Sequence, residues 1–141
     1  LIRFRQDVVN LKPKAVFILA GINDIAGNTG PSDLAMIFNN IQSMAEIGMA
    51  NNIKVIICSV LPAAEFPWRP EIDPTDKVVA LNKMLKEYAT KKGIMYLDYF
   101  ASMANEENGM KKQFTYDEVH CTDEGYAAME KVIHPILEKL K

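Results

Sequence analysis

The hydrophobic pattern contains three short runs that predict buried strands. Ala15–Ala20 is a continuous apolar run, and Lys54–Leu61 is rich in β-branched residues and stops at Pro62. A third, shorter run covers Ile94–Leu97. Runs of this length without polar alternation are typical of strands that are covered on both faces. We therefore expect three strands of a buried sheet.

Four other segments carry apolar residues at helical spacing. Start and stop residues mark most of them, and polar loops connect them to the strands. The segments are residues 1–11, where the helical pattern is already under way at Leu1; 34–47, started by Pro31 and Ser32; 75–92, entered at Pro74 and stopped by Gly93; and 123–141, capped by Thr122 and bent near Pro135. Residues 98–121 show no helical period and are predicted to be irregular.

The alternation of helix and strand predicts the fold class. Helices that connect successive strands favour a parallel sheet covered on both faces, a three-layer α/β/α arrangement. No linker or repeat divides the chain, so residues 1–141 are predicted to form a single domain. Because right-handed crossovers place every strand's carboxyl end on the same rim, a ligand site is expected there.

Composition excludes several classes of function. The 141 residues carry 16 basic and 18 acidic side chains, a net charge of −2, which provides no basic field for nucleic acid. No apolar stretch approaches the ~20 residues of a membrane-spanning helix. The two cysteines, Cys58 and Cys121, are too few for a disulfide framework. No cluster has metal-ligand spacing, so neither a metal nor a cofactor is expected.

The segment before the last helix carries the most informative pair. Asp117 precedes His120 by three residues on a predicted turn. A carboxylate at this spacing can accept a hydrogen bond from one imidazole nitrogen while the other nitrogen faces a cleft. That arrangement orients a general base. The alternative is a turn-capping Asp beside an ordinary surface His.

A second candidate segment directly follows the first strand. Gly21 lets the chain turn sharply off the strand, and Asn23 would place an amide at the rim, able to donate to a developing oxyanion. Asp24 completes the tetrapeptide, and Asn and Asp after a strand are also common turn formers.

Together, in this order on an α/β chain, these two motifs resemble the SGNH (GDSL-type) hydrolases, which include lipases, acylhydrolases and carbohydrate esterases. The stretch Leu1–Gly27 is similar to the acylhydrolase branch close to platelet-activating-factor acetylhydrolases. The resemblance implies a flavodoxin-like fold that lacks its N-terminal strands. It also implies that Asn23 is an oxyanion-hole donor, His120 the general base and Asp117 its acid partner, with structural roles for Gly21 and Asp24.

The chain departs from that family in one respect. The family's nucleophile lies in a Gly-Asp-Ser block, and a Gly of a second block completes the oxyanion hole. Both blocks belong upstream of Leu1, so we expect the chain to be a C-terminal fragment that is inactive by itself. Four residues could replace the serine but fit other roles better: Ser32 as a helix cap, Ser59 within the sheet, Ser102 in a loop, and Cys121 pointing away from His120.

The loop after the second strand is predicted to lie on the same rim. The resemblance suggests that Phe66, Trp68 and Arg69 shape an acyl or leaving-group pocket, and packing of the aromatic rings against the domain is the alternative. His134 lies in the last helix, away from the rim, and is expected to be structural.

The resemblance implies an esterase acting on a small-molecule, carbohydrate or lipid acyl ester. A noncatalytic α/β module that binds a ligand or protein at the same rim is the alternative. The resemblance leaves the compartment open, with export the expectation for this branch. Removal of the nucleophile strand would leave the Val16–Ala20 edge unpaired, so we expect pairing with the missing segment or self-association there.

Overall fold

The computed structural model describes residues 1–140, and its strands form a parallel sheet in the order β1-β2-β3. The strands are β1 (Ala15–Ile18), β2 (Lys54–Cys58) and β3 (Met95–Leu97). Val16 pairs with Val55, and Ile57 pairs with Tyr96. The three predicted strands and their parallel arrangement are confirmed, although β1 and β2 end two or three residues before their apolar runs do.

Helices occupy both faces of this sheet. They are α1 (Phe4–Asp7), α2 (Ile22–Ile25), α3 (Leu34–Ala50), α4 (Thr75–Lys92), α5 (Tyr99–Met103) and α6 (Asp123–Glu138). Two 3₁₀ turns, Val9–Leu11 and Lys112–Phe114, complete the regular structure. No helix within residues 1–140 has the length and apolarity that crossing a bilayer requires.

The sheet separates two hydrophobic cores, because alternate side chains of a strand face opposite sides. Val55 and Ile57 pack with α3 and α4 in one core, and Ile56 and Cys58 pack with α5 and α6 in the other. The three-layer α/β/α fold predicted from the sequence is thus confirmed.

The ends of three long helices match their predicted signals in part. Gly93 adopts the left-handed conformation (φ 66°) that stops α4, and the Thr122 hydroxyl caps α6 by accepting a bond from Gly125 N at 3.1 Å. The prediction that Ser32 caps α3 is wrong, because Asp33 accepts from Met36 N at 2.7 Å. The Ser32 hydroxyl instead donates to the Asp24 carbonyl.

Two further predictions need correction. The opening segment is not one helix, since α1 ends at Asp7 and a 3₁₀ turn follows. The stretch predicted to be irregular contains α5, whose start is capped by the Asp98 carboxylate, and Ser102 lies in this helix rather than in a loop.

Among the described residues, β1 forms one edge of the sheet and pairs with β2 alone. Ala15, Val16 and Phe17 are only half-buried, and Leu19 beyond the strand is 42% exposed. The segment that was expected to form an unpaired edge therefore lies at the edge of this sheet.

Candidate active site

A tight turn between the Lys112–Phe114 turn and α6 places Asp117 and His120 side by side. Thr115 forms an isolated antiparallel bridge with Cys121, and both Tyr116 N and the Thr115 hydroxyl donate to the His120 carbonyl at 3.0 Å. Glu118 adopts a left-handed backbone (φ 69°) at the reversal. The chain therefore folds back on itself between Thr115 and Cys121.

Within this turn the Asp117 carboxylate binds His120 with both oxygens. Oδ2 lies 2.7 Å from the imidazole Nδ1, and Oδ1 accepts from the His120 backbone N–H at 2.8 Å. The His120 side chain is 70% exposed, and its Nε2 makes no hydrogen bond to any residue from 1 to 140. One nitrogen is thus held by a carboxylate and the other is open to solvent.

The hydrogen bonds to Asp117 favour its charged form. Burial is the largest single influence on this carboxyl and by itself raises its pKa. The bonds from the His120 backbone, the His120 ring and the Val119 backbone outweigh burial, so the pKa of Asp117 lies below its ordinary value. The carboxylate is therefore ionised at neutral pH and can stabilise an imidazolium.

The second predicted motif forms the short helix α2 at the carboxyl end of β1. Gly21 has φ 122°, and a Cβ there would approach Leu81 Cδ2 to 3.0 Å, so this sharp turn requires glycine. Asn23 is exposed on α2 and its Oδ1 accepts from Asn28 Nδ2 at 3.2 Å. Asp24 is held locally, because its Oδ1 accepts from the Thr29 hydroxyl at 2.9 Å.

An apolar cavity of about 110 Å³ adjoins both motifs. Its wall contains Ile22, which precedes Asn23, and Val119, which precedes His120. The ends of β1 and β2 supply the remaining lining: Leu19, Ala20, Val60, Leu61 and Pro62. The two motifs thus flank one hollow at the carboxyl rim of the sheet, where the parallel topology predicts a site.

The loop after β2 lies over this rim. Its start is fixed by the buried Asn82, whose amide bonds both the N–H and the carbonyl of Val60 at 2.7 and 3.0 Å. Trp68 is 44% exposed and its ring centroid lies 6.0 Å from that of His120. Phe66 is fully buried beneath Trp68, which favours the packing alternative for that residue.

Arg69 follows Trp68 and is half-buried against Gly27, where a Cβ would lie 3.4 Å from its Nη1. His134 is exposed on α6, and its Nε2 lies 3.8 Å from Glu138 Oε1. Within residues 1–140, no group of three His, Cys, Asp or Glu side chains is arranged to hold a metal ion.

Two residues of the site were missed by the sequence analysis. Asn28 contacts Asn23, and Asn82 fixes the start of the Trp68 loop. Only Asn28 had a readable local signal, because a Gly-Asn pair directly after a short helix is typical of a left-handed helix ending. Asn82 lies in mid-helix and its partner is 22 residues away.

A family model described as GDSL-like Lipase/Acylhydrolase matches residues 1–128. The chain belongs to this family. Its members are hydrolases, so the resemblance drawn from the two motifs is confirmed at the level of the family. Among curated proteins, none matches the sequence.

Solved structures of GDSL-like proteins superpose closely on this chain. A GDSL-like lipase from Bacteroides thetaiotaomicron is 47% identical, with a TM-score of 0.95 over 99% of this chain and 69% of its own. A candidate acylhydrolase from Bacteroides fragilis is 44% identical, with the same TM-score and the same coverage. An acetyl xylan esterase at 22% identity and a TM-score of 0.71 shares the fold over 92% of this chain and 71% of its own.

Proposed function

We propose that this GDSL-like protein hydrolyses a carboxylic ester of a small molecule, a carbohydrate or a lipid through a Ser-His-Asp triad. His120 acts as general base, Asp117 as its partner, and Asn23 as an oxyanion donor. The observation that carries the proposal is the 2.7 Å contact between His120 Nδ1 and Asp117 Oδ2, which leaves Nε2 exposed. The serine is supplied by a segment that precedes Leu1.

The assigned groups account for both halves of the reaction. His120 Nε2 takes the proton of the serine hydroxyl as Oγ attacks the ester carbonyl, and the Asn23 amide donates to the oxyanion that forms. The imidazolium, stabilised by Asp117, returns the proton to the departing alcohol. Water then attacks the acyl-enzyme by the same steps, which releases the acid and restores the serine.

The serines of the described chain support an external nucleophile. Ser32, Ser43 and Ser102 each donate their hydroxyl to a nearby backbone carbonyl. Ser59 is fully buried and its hydroxyl accepts from Phe100 N at 2.8 Å. None of them bonds His120, so residues 1–140 offer no serine that is paired with the base.

The test compares single variants of the full-length protein with p-nitrophenyl acetate as substrate. We expect His120→Ala to lower kcat by about 10⁴-fold or more, and Asp117→Asn by about 10²- to 10⁴-fold, because the base loses its orientation. His134→Ala is the matched control, since it also removes an exposed histidine but should leave kcat unchanged.

Three outcomes contradict the proposal. Full activity of His120→Ala in the full-length protein would remove the base assignment. Robust His120-dependent turnover by residues 1–141 alone would show that the nucleophile does not come from an upstream segment. Tight binding of an ester or glycan by a full-length protein without turnover would favour the noncatalytic binding module.

A further inference from the structure

The loop that follows α2 folds back onto Asn23. Asn28 N donates to the Asn23 carbonyl at 2.9 Å, and Gly27 N donates to the Asp24 carbonyl at 2.9 Å. This pair of bonds is a Schellman ending, which needs a left-handed residue, and Gly27 provides it with φ 69°. The backbone therefore positions the Asn28 side chain beside Asn23.

At that place the two side-chain amides meet. Asn28 Nδ2 donates to Asn23 Oδ1 at 3.2 Å. The acceptor end of the Asn23 amide is thereby occupied, and its donor end, Nδ2, points to the other side of the same planar group. Within residues 1–140, Asn23 Nδ2 makes no hydrogen bond. A donor with no internal partner is what an incoming oxyanion requires.

This contact fixes which end of the Asn23 amide stays free. The terminal torsion of an Asn side chain is broad and roughly two-fold, so an isolated exposed Asn presents oxygen or nitrogen with similar ease. An oxygen turned toward a developing oxyanion would repel it. Donors that are oriented before the reaction contribute most to electrostatic catalysis, because no reorganisation is needed when the charge appears.

We propose that Asn28 is a positioning residue that holds the Asn23 amide with its N–H groups directed at the oxyanion. The proposal rests on the proposed esterase function. Asn28 does not touch the ester. It acts through Asn23, and its effect should therefore appear in the transition state rather than in substrate binding.

The test uses two substitutions with opposite predictions for a structural role and a positioning role. Asn28→Ala frees the Asn23 amide and should lower kcat about 3- to 10-fold, which is less than the loss of the donor itself. Asn28→Asp keeps the shape but replaces the donor by a carboxylate, which repels Oδ1 and accepts from Nδ2. It should reverse the amide and lower kcat about 10- to 100-fold.

The control is Thr29→Val in the same loop. It removes the side-chain bond to Asp24 but leaves the Asn23–Asn28 pair intact. It should leave kcat unchanged even if it lowers the melting temperature. If Asn28 only stabilises the loop, Asn28→Asp should lower kcat less than Asn28→Ala does. Each variant should then change KM and kcat together.

A double-mutant cycle completes the experiment, with p-nitrophenyl acetate and the full-length protein. In an Asn23→Ala background, Asn28→Asp should cause no further loss of kcat, and KM should stay within about two-fold in all variants. Equal losses with and without Asn23, or an unaffected kcat for Asn28→Asp, would overturn the positioning role. Failure of the esterase function itself is distinguishable, because the unmodified protein would then show no His120-dependent turnover.

Discussion

At the scale of single residues, both thiols of this chain are buried, whereas the proposed catalytic side chain of His120 is exposed. Cys121 is 7% exposed although the side chain of its neighbour His120 is 70% exposed, because successive residues of the turn face opposite ways. Burial raises the pKa of Cys121, and it raises the pKa of Cys58 to about 12. A raised pKa keeps a thiol protonated, and the thiolate is the nucleophile.

We therefore expect both cysteines to resist iodoacetamide at pH 8 in the native protein. Both should be alkylated after denaturation in urea, which exposes them and removes the burial that disfavours the thiolate. Intact-mass analysis after a timed reaction measures the number of added groups. Rapid alkylation of Cys121 in the native state, with parallel loss of esterase activity, would show a reactive thiol at the site.

At the scale of elements, the start of helix α6 lies closer to Phe114, just before the turn that carries Asp117, than a side chain at Gly125 would allow. A Cβ added to Gly125 would fall far inside contact distance of the Phe114 carbonyl oxygen and lie 3.1 Å from Cys121 Cβ. The same carbonyl accepts from Thr122 N at 3.0 Å. Because Gly125 has no side chain, the start of α6 can pack against Phe114 and hold the turn that carries Asp117 in place.

Replacement of Gly125 by Ala brings two opposing effects. Alanine is favoured over glycine within a helix by about 1 kcal/mol, whereas forcing a methyl group into closed space costs about 1–3 kcal/mol. The added methyl group would collide with the backbone carbonyl of Phe114, which cannot move aside easily. We therefore expect the steric cost to exceed the gain in helix propensity, so that Gly125→Ala lowers both the stability and kcat. Thermal unfolding measures the stability, and turnover of p-nitrophenyl acetate measures kcat.

Ala127→Gly provides the matched control, because it lies in the same helix on an exposed position. It should cost about 1 kcal/mol through helix propensity alone and leave kcat unchanged. An increase in melting temperature for Gly125→Ala would show that the start of α6 can move away from the turn at little cost.

The elements that sequence reasoning found are those with strong local signals. Apolar runs located the first and third strands and β-branched residues the second, and Gly93 and Thr122 marked helix ends correctly. The five residues of α5 are too few to show a helical period. Serine and aspartate both cap helices, so residue type alone does not distinguish Ser32 from Asp33 as the cap of α3.

In the candidate site, too, the contacts that could be predicted are those between residues close in the sequence. Asp117 and His120 lie three residues apart, so their contact is encoded within one turn and could be predicted. The contact between Asn28 and Asn23 depends on the left-handed Gly27 that brings the chain back. The position of the loop over His120 depends on the two buried hydrogen bonds between Asn82 and Val60, a tertiary contact with no local pattern.

At the scale of the whole molecule, the open side of β1 is one of the two unpaired edges of the described sheet, and β3 forms the other. β1 pairs only with β2, three of its four residues are half-buried, and Leu19 extends the exposed apolar surface beyond the strand. An edge strand of this kind offers a row of free N–H and C=O groups for pairing with another chain. Either an upstream strand or a second copy can fill it.

We therefore expect a polypeptide of residues 1–141, produced by itself, to associate with rising concentration, whereas a protein in which the proposed upstream segment pairs with β1 should not associate through this edge. Leu19→Lys should weaken the association, because a lysine beside an edge strand opposes further pairing. Met36→Lys is the control, since it charges a residue of α3 that is 52% exposed. Light scattering gives the mass, and hydrogen exchange at residues 15–18 reports on pairing. A monomer whose Ala15–Ile18 amides exchange freely would contradict this prediction.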